Sequence, residues 1–450
     1  MLTKNQLSLT VTITIIGLAI AYLLHVPLVF GFVLGLFTLI AFSLRSGTAW
    51  SVIARNMWIG IKHTKEVIWI LALVGLVIPT WTASGTIPYM IDKGISFINP
   101  SYFLTFSFLL SAIISMLLGT STGTLSSVGI PLVGIGLLLQ IPLPLAAGAL
   151  VSGAFVGDRT SPFSSANQLV AASAGVSVKT QFQSLLPTTV GALVLSIVFF
   201  LSKDLSGSWH YSEIASLKPQ FDRGYHYTPW LVLPVLILLS SILLRLKSKY
   251  GFLLSIAFAI VLGTLLQHIG FRDWLHYIWL GYQSTTIASL HTKGLSSMIE
   301  LIVLIGLAGA YNGILEESRV LQPYMQKLLG DKSSTLFGAT VRTSLLGLGL
   351  GLVACTQTLP IMMTGRSLLP FWEKRYLRSH LARVVADSSL IFAAMVPWNM
   401  LAIVCGTIVG VPVEQYVICA PFLWALPVCT LLWSFWIGQK QSQKEMLKKC

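Results

Sequence analysis

The chain has 450 residues, of which 55% are hydrophobic and only 10% charged. Its mean hydropathy is +0.80, whereas a soluble domain carries about 25% charged residues; a water-covered globule is excluded and lipid must be the main solvent. The net charge of +14 sits in short loops beside apolar runs, as the positive-inside rule requires, and not as a nucleic-acid footprint.

A bilayer-spanning helix needs about 20 mostly apolar residues. In chain order, the qualifying runs include 7–24, 26–44, 66–83, 184–202, 229–246, 251–267 and 417–436. The first run has no small-residue cleavage site and is expected to stay as the first helix. Basic segments at 45–65, 245–249, 366–383 and 440–449 are the expected cytoplasmic loops and tail. Cys355, Cys405, Cys419, Cys429 and Cys450 show no metal-type spacing, and four of them lie in apolar segments. They imply neither a disulfide framework nor a zinc site.

Two halves echo each other. His63-Thr64-Lys65 recurs as His291-Thr292-Lys293, Gly75-Leu76 as Gly306-Leu307, and Pro88-Tyr89-Met90 as Pro323-Tyr324-Met325. Thr122-Gly123-Thr124-Leu125 is echoed by Thr356-Gln357-Thr358-Leu359, and Trp58-Ile59-Gly60 by Trp279-Leu280-Gly281. The five offsets stay between 221 and 235. Equivalent loops differ in charge. The basic 45–65 matches 267–291, which holds only Arg272 and Asp273, and the uncharged turn 140–144 matches the basic 366–383. If basic loops face the cytoplasm, the halves are inverted, as in many secondary transporters.

The expected fold is therefore an all-α polytopic membrane protein. It would have about 12–14 transmembrane segments in two inverted-topology repeats with broken or re-entrant helices. The boundaries are a first repeat at 1–202, a polar external linker at 203–228, a second repeat at 229–438 and a basic cytoplasmic tail at 439–450. Both termini are expected in the cytoplasm.

Four stretches are too polar, or too rich in Gly and Pro, for lipid-facing helix. They are Thr120, Ser121, Thr122 and Thr124 behind Gly119; Asp158, Ser161, Ser164 and Asn167 around Pro162; Thr356, Gln357 and Thr358; and Asp387 and Ser388 leading to Asn399. Asp158 and Asp387 are 229 residues apart, and Asn167 and Asn399 are 232 apart, so each pair keeps the repeat offset. Broken backbone at membrane depth must be buried or line water. Hydroxyls, freed carbonyls, amide oxygens and a carboxylate are hard ligands, suited to a small cation. Competing bland readings are aspartates capping helices at the membrane boundary and a Gly-Thr-Ser stretch that only packs helices. Glu300, Glu316, Glu317 and the connector histidines His63, His268, His276 and His291 read as interfacial or solvated. Arg159 and Arg383 either pair with the nearby aspartates or snorkel.

These residues also resemble the NhaC family of bacterial sodium/proton antiporters, which includes malate/lactate exchangers. The likeness is carried by Thr80–Pro88, by Gly119–Gly129, by Gly157–Asn167, and by Arg383–Asn399 followed by Gly410-Val411-Pro412. It covers most of the chain, from about Ile59 to Pro421. Two departures thin the carboxylates: Ser165-Ala166 stands where the family often has another Asp, and Ala386 where it often has an acid.

The resemblance implies a multi-pass protein of the bacterial plasma membrane that exchanges cytoplasmic sodium, or lithium, for external protons by alternating access. One buried carboxylate would hold either a cation or a proton, with Asp158 the stronger candidate and sodium placed at Asp158, Ser161 and Asn167. The alternative is sodium- or proton-coupled exchange of small carboxylates such as malate or lactate, held at broken-helix N-termini. No Ser/His or His-Glu-x-x-His constellation points to an intramembrane enzyme. No cofactor is expected beyond the transported sodium and protons. The expected partners are those ions and membrane lipid, with no nucleic acid; a homo-oligomer is left open.

Overall fold

The computed structural model describes residues 4–24, 26–97, 99–207, 225–283, 292–317 and 335–447. The first half comprises α1 (Lys4–Leu23), α2 (Val29–Arg45), α3 (Trp50–His63), α4 (Lys65–Ala83), α5 (Thr86–Phe97) and α6 (Phe103–Leu118). It continues with α7 (Ser121–Leu138), which contains a π segment at Leu125–Gly129. Then come α8 (Leu143–Thr160), α9 (Ser165–Ser173) and α10 (Val178–Ser206). The second half comprises α11 (Leu233–Leu243), α12 (Ser248–Leu266), α13 (Phe271–Leu280), α14 (Ile299–Glu317), α15 (Leu336–Ala354) and α16 (Thr358–Glu373). It ends with α17 (Arg378–Val385), a π segment at Ala386–Leu390, α18 (Met400–Val409), α19 (Val413–Ile418) and α20 (Pro421–Leu447).

The described residues hold nine helices long and apolar enough to cross a bilayer, and three shorter apolar ones. The protein is an all-helical, multi-pass membrane protein. The runs expected from composition coincide with α1, α2, α4, α10, α11, α12 and α20. Two of them differ in detail. The run 417–436 is interrupted after Ile418, and α20 restarts at Pro421, where proline suits the first helical turn. The chain continues helically past Lys203 to Ser206. There the buried Asp204 accepts from the N–H groups of Leu104 (3.0 Å) and Thr105 (2.9 Å) and from Thr105 Oγ1 (2.7 Å). It satisfies donors that the start of α6 would otherwise leave bare. His291, Pro323–Met325 and most of the expected linker lie outside the described residues.

Small residues let the helices meet at backbone distance. Gly153 and Gly157 stack one turn apart on α8. A Cβ on Gly157 would lie 2.1 Å from the Ser115 backbone, and one on Gly153 2.4 Å from Phe108 O. Across the same seam Ser111 Oγ donates to Leu150 O (2.8 Å), and Ser115 Oγ donates to Ala154 O. Gly60 of α3 meets Gly309 and Gly313 of α14 in the same way. Without a hydrophobic drive between helices in lipid, such close contact and interhelical hydrogen bonds are what hold them.

The packing exchanges between the halves. α4 packs on α12 and α13, while α14 packs on α2 and α3. α10 packs on α6 and α17, while α20 packs on α15 and α8. α9, which follows Asp158, lies against α16 of the second half, and α18 lies against α7 of the first. Each half thus completes the other's core, and the polar breaks lie at this shared interface.

Candidate functional site

In the first half two breaks cross. α6 ends at Leu118, and Gly119 turns the chain in the left-handed region at φ +68°. A Cβ there would sit 2.7 Å from Phe163 C and Ser164 N, so both the conformation and the contact require glycine. Thr120 caps the new helix, accepting from Gly123 N–H at 3.5 Å. The second break is Ser161–Ser164, closed by Ser164 accepting from Asn167 N–H at 3.2 Å as the N-cap of α9. The crossing brings Asp158, in the last turn of α8, against the N-terminus of α7. Ser121 Oγ donates to Asp158 Oδ2 at 3.2 Å. Ser164 Oγ donates to the Asp158 carbonyl at 2.6 Å and lies 3.4 Å from Oδ1. The Ser121 N–H and the Gln357 side chain also face the carboxylate and favour its charge. Asp158 is 7% exposed, and its partners are hydroxyls and amides.

The second half repeats the construction. After α15, Cys355 takes the left-handed conformation at φ +54°. Met400 N–H donates to Cys355 O at 2.9 Å, and Asn399 caps α18 by accepting from Leu401 N–H at 3.0 Å. A left-handed residue between two helices again meets the capping corner of a later helix. Gln357, at the head of α16, donates to Leu390 O at 3.3 Å as well as reaching Asp158. It ties the second-half break to the first-half carboxylate.

Asp387 is held differently. It is fully buried on the π segment, and Arg159 donates to its Oδ1 through Nε at 2.6 Å and also through Nη2. Arg159 Nη1 donates to Thr189 Oγ1 at 2.6 Å, and Nη2 to Thr188 Oγ1 at 2.8 Å. The ion pair joins residues 228 apart, one from each half. Arg383 feels the Asp387 charge but makes no hydrogen bond or close ion pair to it among the described residues; it lies over the Trp433 ring, 6.0 Å from its centroid. The two aspartates therefore differ in kind: one charge is neutralised by a guanidinium and the other is not.

The remaining sequence candidates fall around this centre. Ser161 Oγ donates to Met116 O at 2.8 Å. Asn167 Nδ2 donates to Ser161 O at 3.1 Å, and its Oδ1 accepts from Gln181 at 2.6 Å; these two side chains hold the break and do not touch the carboxylate. Thr122 pairs with Thr120 at 3.2 Å, Thr124 donates to Thr120 O at 2.8 Å, and Ser388 to Val384 O at 2.5 Å. Thr356 is half-buried, Thr358 exposed, and neither is among Asp158's partners. Sequence reasoning missed Thr188, Thr189 and Gln181. Their only sequence signal is a run of polar residues about Pro187 in an otherwise apolar helix. Among the described residues no group of three or more His, Cys, Asp or Glu gathers, so a cation here would rely on one carboxylate and neutral oxygens.

The sequence profile of the Na+/H+ antiporter family matches residues 153–436, a stretch holding both aspartates and the second-half breaks. The chain belongs to the Na+/H+ antiporter family. It is 30% identical to an uncharacterized Na+/H+ antiporter of Haemophilus influenzae, over 83% of this chain and 81% of that one. It is 28% identical to the Na+/H+ antiporter NhaC of Alkalihalophilus pseudofirmus, over 93% and 92%. It is 25% identical to the malate-2H+/Na+-lactate antiporter of Bacillus subtilis, over 90% and 88%. The NhaC resemblance expected from the motifs is thus borne out. Among solved structures, Neisseria gonorrhoeae MtrF, described with a class of antimetabolite efflux pumps, aligns over 86% of this chain and 83% of that one. Its TM-score of 0.40 and identity of 13% carry no argument. Within the antiporter family, the unequal environments of Asp158 and Asp387 become a question of which one exchanges cargo.

Proposed function

We propose that this antiporter exchanges sodium for protons, and that Asp158 is the group on which the two compete. The observation that carries the reading is the buried Asp158 carboxylate, held by Ser121, Ser164 and Gln357 with no cation among its partners. A bare charge in such a place is expensive, so the carboxylate favours a bound proton or a bound cation over neither. It cannot hold both. Sodium is a hard cation that oxygen ligands suit, and Asp158 Oδ1 and Oδ2, Ser121 Oγ and Ser164 Oγ are oxygens within one small volume. Asp387 serves as counter-charge to Arg159, keeping that guanidinium away from Asp158.

The exchanged packing supports a reading of alternating access. Asp158 belongs to α8 and Gln357 to α16, so a movement of one half against the other changes the carboxylate's shell and the side to which it opens. The two halves, with boundaries at 1–202 and 229–438, are proposed to be inverted, with both termini in the cytoplasm of a bacterial cell.

The test is transport in proteoliposomes carrying an imposed pH gradient, with sodium, lithium, potassium, lactate and malate offered in turn. The reading predicts uphill sodium movement driven by the gradient without any organic anion. Movement that requires lactate or malate would replace it with carboxylate exchange, the activity named for the Bacillus subtilis relative.

A further inference from the structure

Arg383 is a second buried cation, 2% exposed, which the exchange chemistry at Asp158 does not use. Its Nε and Nη2 have no hydrogen-bond partner among the described residues. Asp387, one turn further along the chain, acts on Arg383 through its charge but makes no hydrogen bond to it: its Oδ1 is taken by Arg159, and its Oδ2 has no hydrogen-bond partner among the described residues. A guanidinium packed on Trp433 with unused donors leaves charge-assisted hydrogen bonds unmade.

The surroundings are donors as well. Thr343 of α15 and Thr430 of α20 are both 0% exposed, and neither hydroxyl has a hydrogen-bond partner among the described residues. They share one seam. Thr340 donates to Ser434 at 3.0 Å, and Thr343 and Thr430 lie one turn from those residues, on helices that pack together and each against α17 or its π segment. His380 Nδ1, three residues before Arg383, is buried and unpartnered too. Outward from it the chain is basic: Lys374, Arg375 and Arg378 are exposed, with Glu373 pairing to Arg378 at 3.0 Å. A buried guanidinium and two buried hydroxyls without hydrogen-bond partners among the described residues, preceded in the chain by an exposed basic segment, favour negative charge.

We propose that Arg383, with Thr343 and Thr430, forms a binding site for one small monovalent anion, a halide or a small carboxylate, separate from the cation site at Asp158. The full-length protein in detergent is melted at constant sodium and ionic strength, with gluconate replaced stepwise by chloride, acetate or lactate. A ligand bound only by the folded state raises the melting midpoint with saturation. The wild type is expected to show such a rise. Arg383→Met should weaken the apparent affinity by about tenfold or more, the loss expected for a charged hydrogen-bonding partner. Arg378→Gln, on the exposed rim, should leave it nearly unchanged. A rise with chloride assigns the site to halides; a rise with acetate or lactate assigns it to carboxylates. If Arg383→Met does not fold, Arg383→Lys decides, since it keeps the charge without the planar fork and should weaken acetate binding more than chloride. An unchanged affinity in these variants, or no saturable rise with any of the three anions, would overturn the proposal and leave water at the unused donors.

Discussion

At the scale of single residues, the decisive feature is that Asp158 and Arg159 are adjacent in the chain but have separate sets of partners, each drawn from both halves. One side chain faces α7 and Gln357, the other Asp387 and the α10 threonines. Breaking a buried ion pair strands a charge at a cost of about 3–5 kcal/mol, whereas replacing both partners with apolar groups is often neutral. Arg159→Met alone should therefore sharply lower the melting midpoint, and Asp387→Leu likewise, while the double variant recovers much of the loss. Melting curves of all four proteins check this, and additive losses would mean the pair is not coupled. The sequence showed that both aspartates sit in polar breaks at matching offsets. It could not show their difference, because Arg159's partner lies 228 residues away and the nearer Arg383 was the local choice. Ser161 and Asn167 were legible as part of the break, but which hydroxyls reach the carboxylate depends on how two breaks cross.

At the scale of elements, the breaks exist because particular positions admit no side chain. Gly119→Ala would add a Cβ 2.7 Å from the Phe163–Ser164 backbone at a positive φ, and Gly157→Ala one 2.1 Å from Ser115. Neither obstacle is a flexible side chain. Overpacking costs about 1–3 kcal/mol where neighbours can shift, and backbone neighbours shift least. Both variants should fall well below the wild type in melting midpoint and folded yield. Gly349→Ala, which meets nothing within 4 Å, should be nearly neutral. A stable, active Gly157→Ala protein would contradict the close α6–α8 seam. Long apolar runs were legible as helices by length alone. The π segments were not, since Leu125–Gly129 and Ala386–Leu390 carry no composition that separates them from α-helix. Cys355 was also hidden, because a left-handed cysteine has none of the sequence signal of Gly119.

At the scale of the molecule, α4 packs on α12 and α13 while α14 packs on α2 and α3, and α9 lies on α16 while α18 lies on α7; we propose that the internal repeat expected from five short echoes underlies this exchange. The loop charges add the direction. Cysteines placed at Lys62 and Arg378 should be protected from an impermeant thiol reagent in intact cells, and cysteines in the 208–224 stretch should react. Position 291, equivalent to His63, should react from outside; labelling of 62 and 291 from the same side would rule out inversion. The expectation of a repeat and of its inversion rests on lipid leaving charge only in loops, while the joining of the two polar breaks through Gln357 and Arg159 was not legible, since no local pattern records a contact between distant segments.

All of this converges on competition at one carboxylate, and proton release on sodium addition measures it most directly. The purified protein, in weakly buffered detergent solution near neutral pH, is titrated with sodium chloride against a choline chloride control while free protons are recorded. The account predicts saturable release from the wild type and from Asp387→Asn, provided the latter is folded. It predicts none from Asp158→Asn, and release with a shifted pH dependence from Asp158→Glu. Full sodium-dependent release from a folded Asp158→Asn protein would contradict it.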